Sequence, residues 1–486
     1  MNDSSGWHVN ASPTNALRRE LGRWDLALLF VVAILNLNTV SSIATTGPVA
    51  LWLWLAALLC FFLPQGIAVI ELSRRYPGEG GLYLWTKEVF GDFHGFIAGW
   101  AYLTTNVFYI PFVLLYLLGI GFYIGGPRAR VLIDKPLVAF PAVLFALFLI
   151  TAVNVVGVRI GKWVNNLGGI GTLLAATVLI GMSAWSFGTH GTSLHPSDLV
   201  RLHLDWTIVS AFGTMCFSLI GLELASIMGE EIRNPERTLP SAIALSGIAC
   251  GLLYVATTAA LLMAIPAGQI GVVQGIVEAI SRMSQQAGLP WIPPALAIIL
   301  SISVIGIASA WLTGAARLPF VFGLDRYLPS ALGKLHPHYK TPHVALIAQS
   351  TVCALFLAMS FAGAAVKEAF ITMLDLSAVL NLVPYVYIFA AILMLTSGEK
   401  AILHPRGRFS NYTLRTIGSV GLFTTVLAIA VVFVPSKQVG SVPLFELKMF
   451  SGSLFLLGVG ALFFYNGRRK GARLPLKSTG NSMTGE

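Results

Sequence analysis

The sequence predicts an all-α integral membrane protein with twelve transmembrane helices. Three observations carry this: a deficit of charge, twelve apolar runs of about membrane length, and basic residues that lie mostly in the short turns between the runs and in the tails. The 486 residues are 56% hydrophobic and only 11% charged, with a mean hydropathy of +0.78. Soluble domains carry about 25% charged residues. A soluble surface needs polar cover that this chain lacks, so lipid must solvate much of it. The formal charge of +10 would suit a nucleic acid, but no patch or arm collects it. Nucleic acid is therefore excluded as a partner, and the lipid bilayer takes its place.

A spanning helix needs about 20 mostly apolar residues. The runs are 24–47, 49–73, 93–125, 137–157, 164–187, 206–229, 241–265, 292–322, 343–363, 368–396, 413–434 and 443–465. The third and eighth are long enough to cross at a steep tilt. Segment 266–290 is too polar to span and predicts a helix outside the membrane. The first 23 residues are polar, and the first run is too long for the core of a signal peptide. It is expected to stay in the protein as the first span.

Placing the N-terminus in the cytoplasm puts 23 Lys and Arg residues on inside segments and 8 on outside segments. That bias sets the expected orientation, with both termini inside. Cys60, Cys216, Cys250 and Cys353 each lie within an apolar run and read as small buried hydrophobes rather than disulfide or metal ligands. The nine histidines show no zincin or deaminase spacing, and the chain has no P-loop. No enzyme activity, cofactor, metal or direct ATP drive is expected.

Two runs are interrupted at corresponding places. The first contains NTVSSIATTGP at 38–48, a string of small hydroxyl residues ending in Gly-Pro. The sixth carries Gly221 and Glu223. Backbone that leaves helical geometry at membrane depth must line a cavity or be buried in protein. Broken spans in two halves of a chain point to a transport site. These breaks open two blocks of five runs, followed by two further runs. Freed N–H groups and the positive end of a half-helix can hold a carboxylate. Freed carbonyls can hold an ammonium. Together they suit an amino acid.

Two motifs then carry a family resemblance. ELSRRYPGEGGLYLW at 71–85 presents Glu71, Pro77, Gly80, Gly81 and Tyr83, and NPERTLP presents Asn234, Pro235, Arg237 and Pro240. Both, with the runs from 24 to 465, resemble the amino acid–polyamine–organocation (APC) permease superfamily. Within it, ATTG at 44–47 and ASAWLTGAAR at 308–317 look most like the glutamate:GABA antiporter branch. The resemblance implies an inverted five-plus-five repeat with broken first and sixth helices, and alternating access. Its repeats would occupy 24–187 and 206–396, with two additional helices at 413–465 and cytoplasmic tails at 1–23 and 466–486. Two departures stand out. Many relatives have Gly-Ser-Gly in the first break where this chain has Ser41-Ser42. Some proton-coupled relatives have a lysine in the fifth span, where this chain reads NNLGGIGTLL at 165–174. The coupling ion stays open between a proton and sodium.

Substrate-binding candidates follow from the breaks and from positions where relatives place aromatics: Ser41, Ser42, Ile43, Asn106, Phe217, Gly221 and Trp311, with Tyr109 and Asn381 as further cavity candidates. Tyr83 and Arg237 fit loop-organising roles. Glu223 and Asp375 are candidates for proton coupling or gating. A mid-membrane carboxylate is a functional hypothesis by default; capping of loose amides is the compatible alternative for Glu223, and solvation near the outer surface is the alternative for Asp375. No Lys or Arg inside a span balances either one. The expected function is secondary active transport of amino acids, by permease or antiporter. A cationic amino acid or polyamine permease and an amino acid sensor without turnover remain as alternatives. The expected partner is a small amino acid or amine; the oligomeric state is open.

Overall fold

The computed structural model describes residues 19–125, 135–200, 206–272, 274–361, 366–397, 409–434 and 442–472. The outermost parts of both expected tails and the turns carrying Arg128, Arg130 and Arg201 lie outside the described residues. Every one of the twelve apolar runs is helical. In chain order the helices are α1 (Arg23–Ile34), α2 (Leu37–Ala44), α3 (Val49–Ala57), α4 (Leu63–Arg75), α5 (Leu82–Phe90), α6 (Asp92–Gly121), α7 (Pro136–Val156), α8 (Val158–His190), α9 (Pro196–Val200) and α10 (Trp206–Ser218). They continue with α11 (Leu224–Ile227), α12 (Pro235–Ala264), α13 (Gly275–Gln286), α14 (Ile292–Ala315), α15 (Arg317–Leu324), α16 (His343–Phe361), α17 (Val366–Leu395), α18 (Asn411–Val432) and α19 (Val442–Ala472). Among the described residues, the β structure is an isolated parallel bridge between Leu21 and Ile232.

Ten of these segments are long and apolar enough to cross a membrane, and Ile208–Ser218 and His343–Met359 are shorter apolar helices. The sixth run yields a short helix because its backbone leaves helical geometry after Ser218. Depth in the bundle varies. The most apolar windows of the α1–α2 segment and of α6 are 89% buried, against 22% for α19. The peripheral helices turn Phe145 and Phe148 of α7, Phe423 of α18, and Leu454 and Phe455 of α19 outward, an apolar belt suited to lipid.

Five helix pairs fix the centre. α14 runs along α8, α6 lies against both α17 and α14, and α1 packs on α12 and α8. α13 is the helix expected outside the membrane. It buries Ile276, Val277, Ile280 and Met283 on one side, at helical spacing, and packs on α14, α8 and α2. α3 and α4 are joined through a π-helical stretch, Leu58–Phe62. Such bulges often mark functional positions, and this one precedes Gln65, whose side chain reaches the second break.

One sequence expectation is corrected. The first break is not within 38–48. Within the first span the helix is interrupted at Leu35 and Asn36; Ser41, Ser42 and Ile43 are inside α2, one to two turns further on, and 45–48 form the turn that leads from α2 to α3. Asparagine readily bonds local backbone and so competes with the helix, a role the hydroxyl string was expected to play. The 292–322 run forms one apolar segment, Ile292–Leu324, in which the single turn residue Ala316 separates α14 from α15.

The family loop at 71–85 shows why its glycines are needed. Gly81 has φ +42°, and a Cβ there would lie 2.8 Å from the Ile227 nitrogen. The Gly80 N–H donates to the Ile227 carbonyl at 3.0 Å. The loop therefore seats directly on the end of α11.

Candidate functional site

The site begins with the groups that the breaks release. At the end of α1, the Asn36 amide nitrogen donates to the carbonyls of Ala33 and Ile34, each at 3.2 Å. The Trp311 indole also donates to the Ala33 carbonyl at 3.2 Å. These bonds satisfy carbonyls that α1 can no longer pair. On the other side of the break, the backbone amides of Leu37 and Asn38 find no acceptor among the described residues. Both polar atoms of the Asn38 side chain and the Ser41 hydroxyl are buried without a partner. The start of α2 is thus rich in unsatisfied donors.

The second break presents the opposite polarity. Gly221 sits at φ +141°, and a Cβ there would fall 2.8 Å from Ile34 of the first break. Only glycine allows both that backbone angle and that approach. The carbonyls of Leu219 and Ile220 have no donor among the described residues. Tyr254 of α12 locks the two breaks together. Its hydroxyl accepts from the Asn36 N–H at 2.9 Å and stands within donating reach of the Ile34 carbonyl and of the Ser218 carbonyl, the latter at 2.9 Å. The Ser218 hydroxyl donates to Thr39 of α2 at 3.0 Å.

Aromatic rings wall this junction. Phe217 packs edge-on against Tyr109, with centroids 5.7 Å apart. Tyr109 packs against Trp311 at 5.3 Å, and Trp311 lies 5.9 Å from Tyr102. The Tyr109 hydroxyl donates to Asn36 Oδ1 at 2.7 Å. Asn106, on the same helix as both tyrosines, uses its amide nitrogen on the Tyr102 carbonyl at 3.0 Å. Its Oδ1 is buried and unpaired. On α17, Ser377 and Asn381 are also buried with unpaired polar atoms.

Glu223 is the hub. It is fully buried, and four donors converge on its carboxylate. Tyr102 donates to Oε1 at 2.8 Å. Oε2 receives the Gly221 N–H at 3.1 Å, Gln65 Nε2 at 3.3 Å and the Tyr385 hydroxyl. Gln65 also donates to the Tyr385 hydroxyl at 2.8 Å. The carboxylate therefore ties α4, α6 and α17 to the break in front of α11. It makes no ion pair among the described residues.

The structure thus brings Phe217, Gly221, Glu223, Trp311 and Tyr109 together, with Asn106 on the adjoining face of α6. Ser41 and Ile43 are buried in α2, while Ser42 is half-buried and its carbonyl accepts from Thr45 at 2.6 Å. Asp375 is not brought to the hub. It is half-buried in the first third of α17, with no hydrogen bond or ion pair among the described residues. Tyr83 donates to Asp325, which also takes Lys87 Nζ at 2.7 Å; Arg237 is exposed. Sequence reasoning missed Asn36, Gln65, Tyr102, Tyr254 and Tyr385. Each is a polar side chain inside an apolar run, and Gln65 and Tyr385 directly follow a proline. Among the described residues, no group of three or more His, Cys, Asp or Glu could hold a metal ion.

Comparison with known proteins places this geometry in a family. A family model described as amino acid permease matches residues 21–445. The chain is 26% identical to "Uncharacterized transporter lpg1691" of Legionella pneumophila, over 92% of this chain and 97% of that one. It is 27% identical to "Branched-chain amino acid permease BcaP" of Bacillus subtilis, over 71% and 75%. It is 22% identical to "Probable agmatine/putrescine antiporter AguD" of Lactococcus lactis, over 90% and 91%. With its many apolar helices and a match across most of its length, this chain belongs to the amino acid permease family of the APC superfamily and is a multi-pass membrane protein.

Proposed function

We propose that the protein is a secondary active transporter of neutral α-amino acids that works by alternating access. The observation that carries this reading is the opposed polarity of two adjacent helix breaks. The unpaired amides of Leu37 and Asn38 suit an α-carboxylate, and the unpaired carbonyls of Leu219 and Ile220 suit an α-ammonium. Phe217 and Trp311 cover the side chain of the substrate, and Ser41, Ser42, Ile43, Asn106 and Gly221 complete the site. A neutral side chain is favoured because the carboxylate at the hub, Glu223, is already engaged by four donors and leaves no acid free for a second ammonium. We assign Glu223 to gating, since it fastens three helices to the break. An amine substrate is the second reading, favoured by Asp375, an acid without a described partner. Twelve spans arranged as an inverted five-plus-five repeat, with both termini cytoplasmic, complete the proposal.

A ligand panel separates the two substrate readings. Ligands that bind only the folded state raise its stability, by about 2.7 kcal/mol at a hundredfold excess over Kd. Neutral amino acids are expected to raise the melting temperature, and agmatine and putrescine are not. The reverse pattern would move the assignment to amines. Orientation is tested separately by single cysteines in intact cells. Position 282, exposed on α13, is expected to react with an impermeant maleimide. Position 237 is expected to stay unlabelled, and labelling there would invert the topology.

A further inference from the structure

At the end of the bundle that carries the N-terminal segment, two buried acids share one buried base. Arg317 opens α15 and Glu231 closes the turn after α11; each side chain is 1% exposed, and Arg317 Nη2 lies 2.6 Å from Glu231 Oε1. Glu79, on the glycine-rich loop after α4, is 8% exposed and stands 3.9 Å from Arg317 Nε. That distance is too long for a hydrogen bond. Glu79 Oε1, Glu231 Oε2 and Arg317 Nε are all buried without a hydrogen-bond partner. Glu79 Oε2 accepts the Glu230 N–H at 3.1 Å, and Arg317 Nη1 donates to the Thr313 carbonyl.

We propose that Glu79, Glu231 and Arg317 form a proton-binding site that latches this face shut and gives up its proton when the face opens. Two carboxylates against one guanidinium leave one uncompensated negative charge, and burying such a charge is costly. The surrounding ionic groups do not supply the missing cation. Arg233 and Lys162 are spent on Glu20, Lys87 on Asp325 and Arg75 on Glu71, while Glu230 adds a further negative charge nearby. A proton is the one cation that fits. Glu231 holds the short contact with the base, so Glu79 Oε1 is the oxygen that carries it. Burial, and after it the charge of Glu231, push the Glu79 carboxyl well above the usual carboxylate range, against the pull of Arg317. Burial raises Glu231 as well, with Arg317 opposing.

The latch reaches the substrate region through two elements. Arg317 lies six residues beyond Trp311, and Glu231 ends the short turn after α11, the helix that Glu223 caps. Opening the face lets water reach the cluster, restores the ordinary acidity of Glu79 and releases its proton on that side. The sign follows: a carboxyl whose affinity for protons is raised in the closed form stabilises that form at low pH, and the stabilisation is lost as pH rises through the raised value. The proton's place in a transport cycle rests on the transport reading above; proton binding by the latch does not.

The test needs no substrate. In purified protein with the four native cysteines replaced by alanine, Met228→Cys reports on the face, because Met228 lines the small cavity beneath it together with Leu21, Lys162 and Thr313. Its maleimide labelling rate is measured from pH 5 to 8 in that parent and in the same protein with Glu79→Gln or Glu231→Gln. Each variant supplies a charge-balanced latch at every pH and corrects for the reactivity of the thiol itself. The ratio of parent to variant rate is expected to rise with pH by up to about tenfold per unit, the limit for one linked proton. A ratio independent of pH in either folded variant overturns the proposal. Failure of the transport reading would leave this curve unchanged and show as an absence of uptake.

Discussion

Glu223→Ala is expected to abolish transport and to cause the largest loss of stability of any single change at the breaks. The substitution strands the Gly221 N–H, the Gln65 amide and the hydroxyls of Tyr102 and Tyr385 in a dry interior. A hydrogen bond to a charged group contributes about 1.5–3 kcal/mol, and each stranded buried group costs about 1–3 kcal/mol. These terms do not add fully, so a loss of at least about 3 kcal/mol is expected. Glu223→Gln keeps one oxygen and its shape, and the tyrosine hydroxyls can turn to accept from its new amide. It should fold with a smaller loss. Melting curves and initial uptake rates for the three proteins check this; an alanine variant that melts like wild type would remove Glu223 from the hub. An unchanged pH profile of uptake in Glu223→Gln would confine the residue to holding the break, whereas a flattened profile would give it a proton role as well.

The second large effect is expected from Arg317→Ala. Removing one partner of a buried ion pair is destabilising by about 3–5 kcal/mol, because the remaining charge is left uncompensated. Here two acids, Glu79 and Glu231, lose their shared base. The penalty should depend on pH. The Glu79 carboxyl already stands above its ordinary range, so the folded protein binds more protons than the unfolded chain and loses stability as pH rises through that window. Without the opposing guanidinium the window widens. The drop in melting temperature is therefore expected to be larger at pH 8 than at pH 5. An equal drop at both would mean that the acids do not depend on Arg317 for their charge.

The fold was legible to the extent that lipid imposes it. Apolar runs of membrane length have few alternatives to helix, which is why all twelve became helical. Breaks were harder to place. Gly221 announced itself, since a glycine inside a run has little reason to be there except an unusual φ or a close approach, and the structure shows both. The hydroxyl string at 38–48 points to a break there, and the first break instead falls at Leu35–Asn36. Serine and threonine can bond back to the preceding turn and stay helical, and Ser41 and Ser42 stay inside α2, whereas Asn36 satisfies two carbonyls at once and ends the helix. The hub around Glu223 was half legible. Its acid stands out against an apolar run, but its donors come from α4, α6 and α17, and their proximity is set by packing that no periodicity records. The latch was invisible for the same reason: Glu79 and Glu231 are ordinary loop charges in sequence, Arg317 stands near the end of an apolar run, and the seating of the Gly80–Gly81 loop on α11 helps to bring them together.

Transport itself is tested most directly by reconstitution. Purified protein in liposomes, given radiolabelled neutral amino acids with and without an unlabelled amino acid inside, is expected to show saturable uptake. Protein-free liposomes and Glu223→Ala should show none. An amino acid that raises the melting temperature yet shows neither uptake nor exchange at any imposed pH or sodium gradient would contradict this, and would make the protein a binding sensor built on a permease fold.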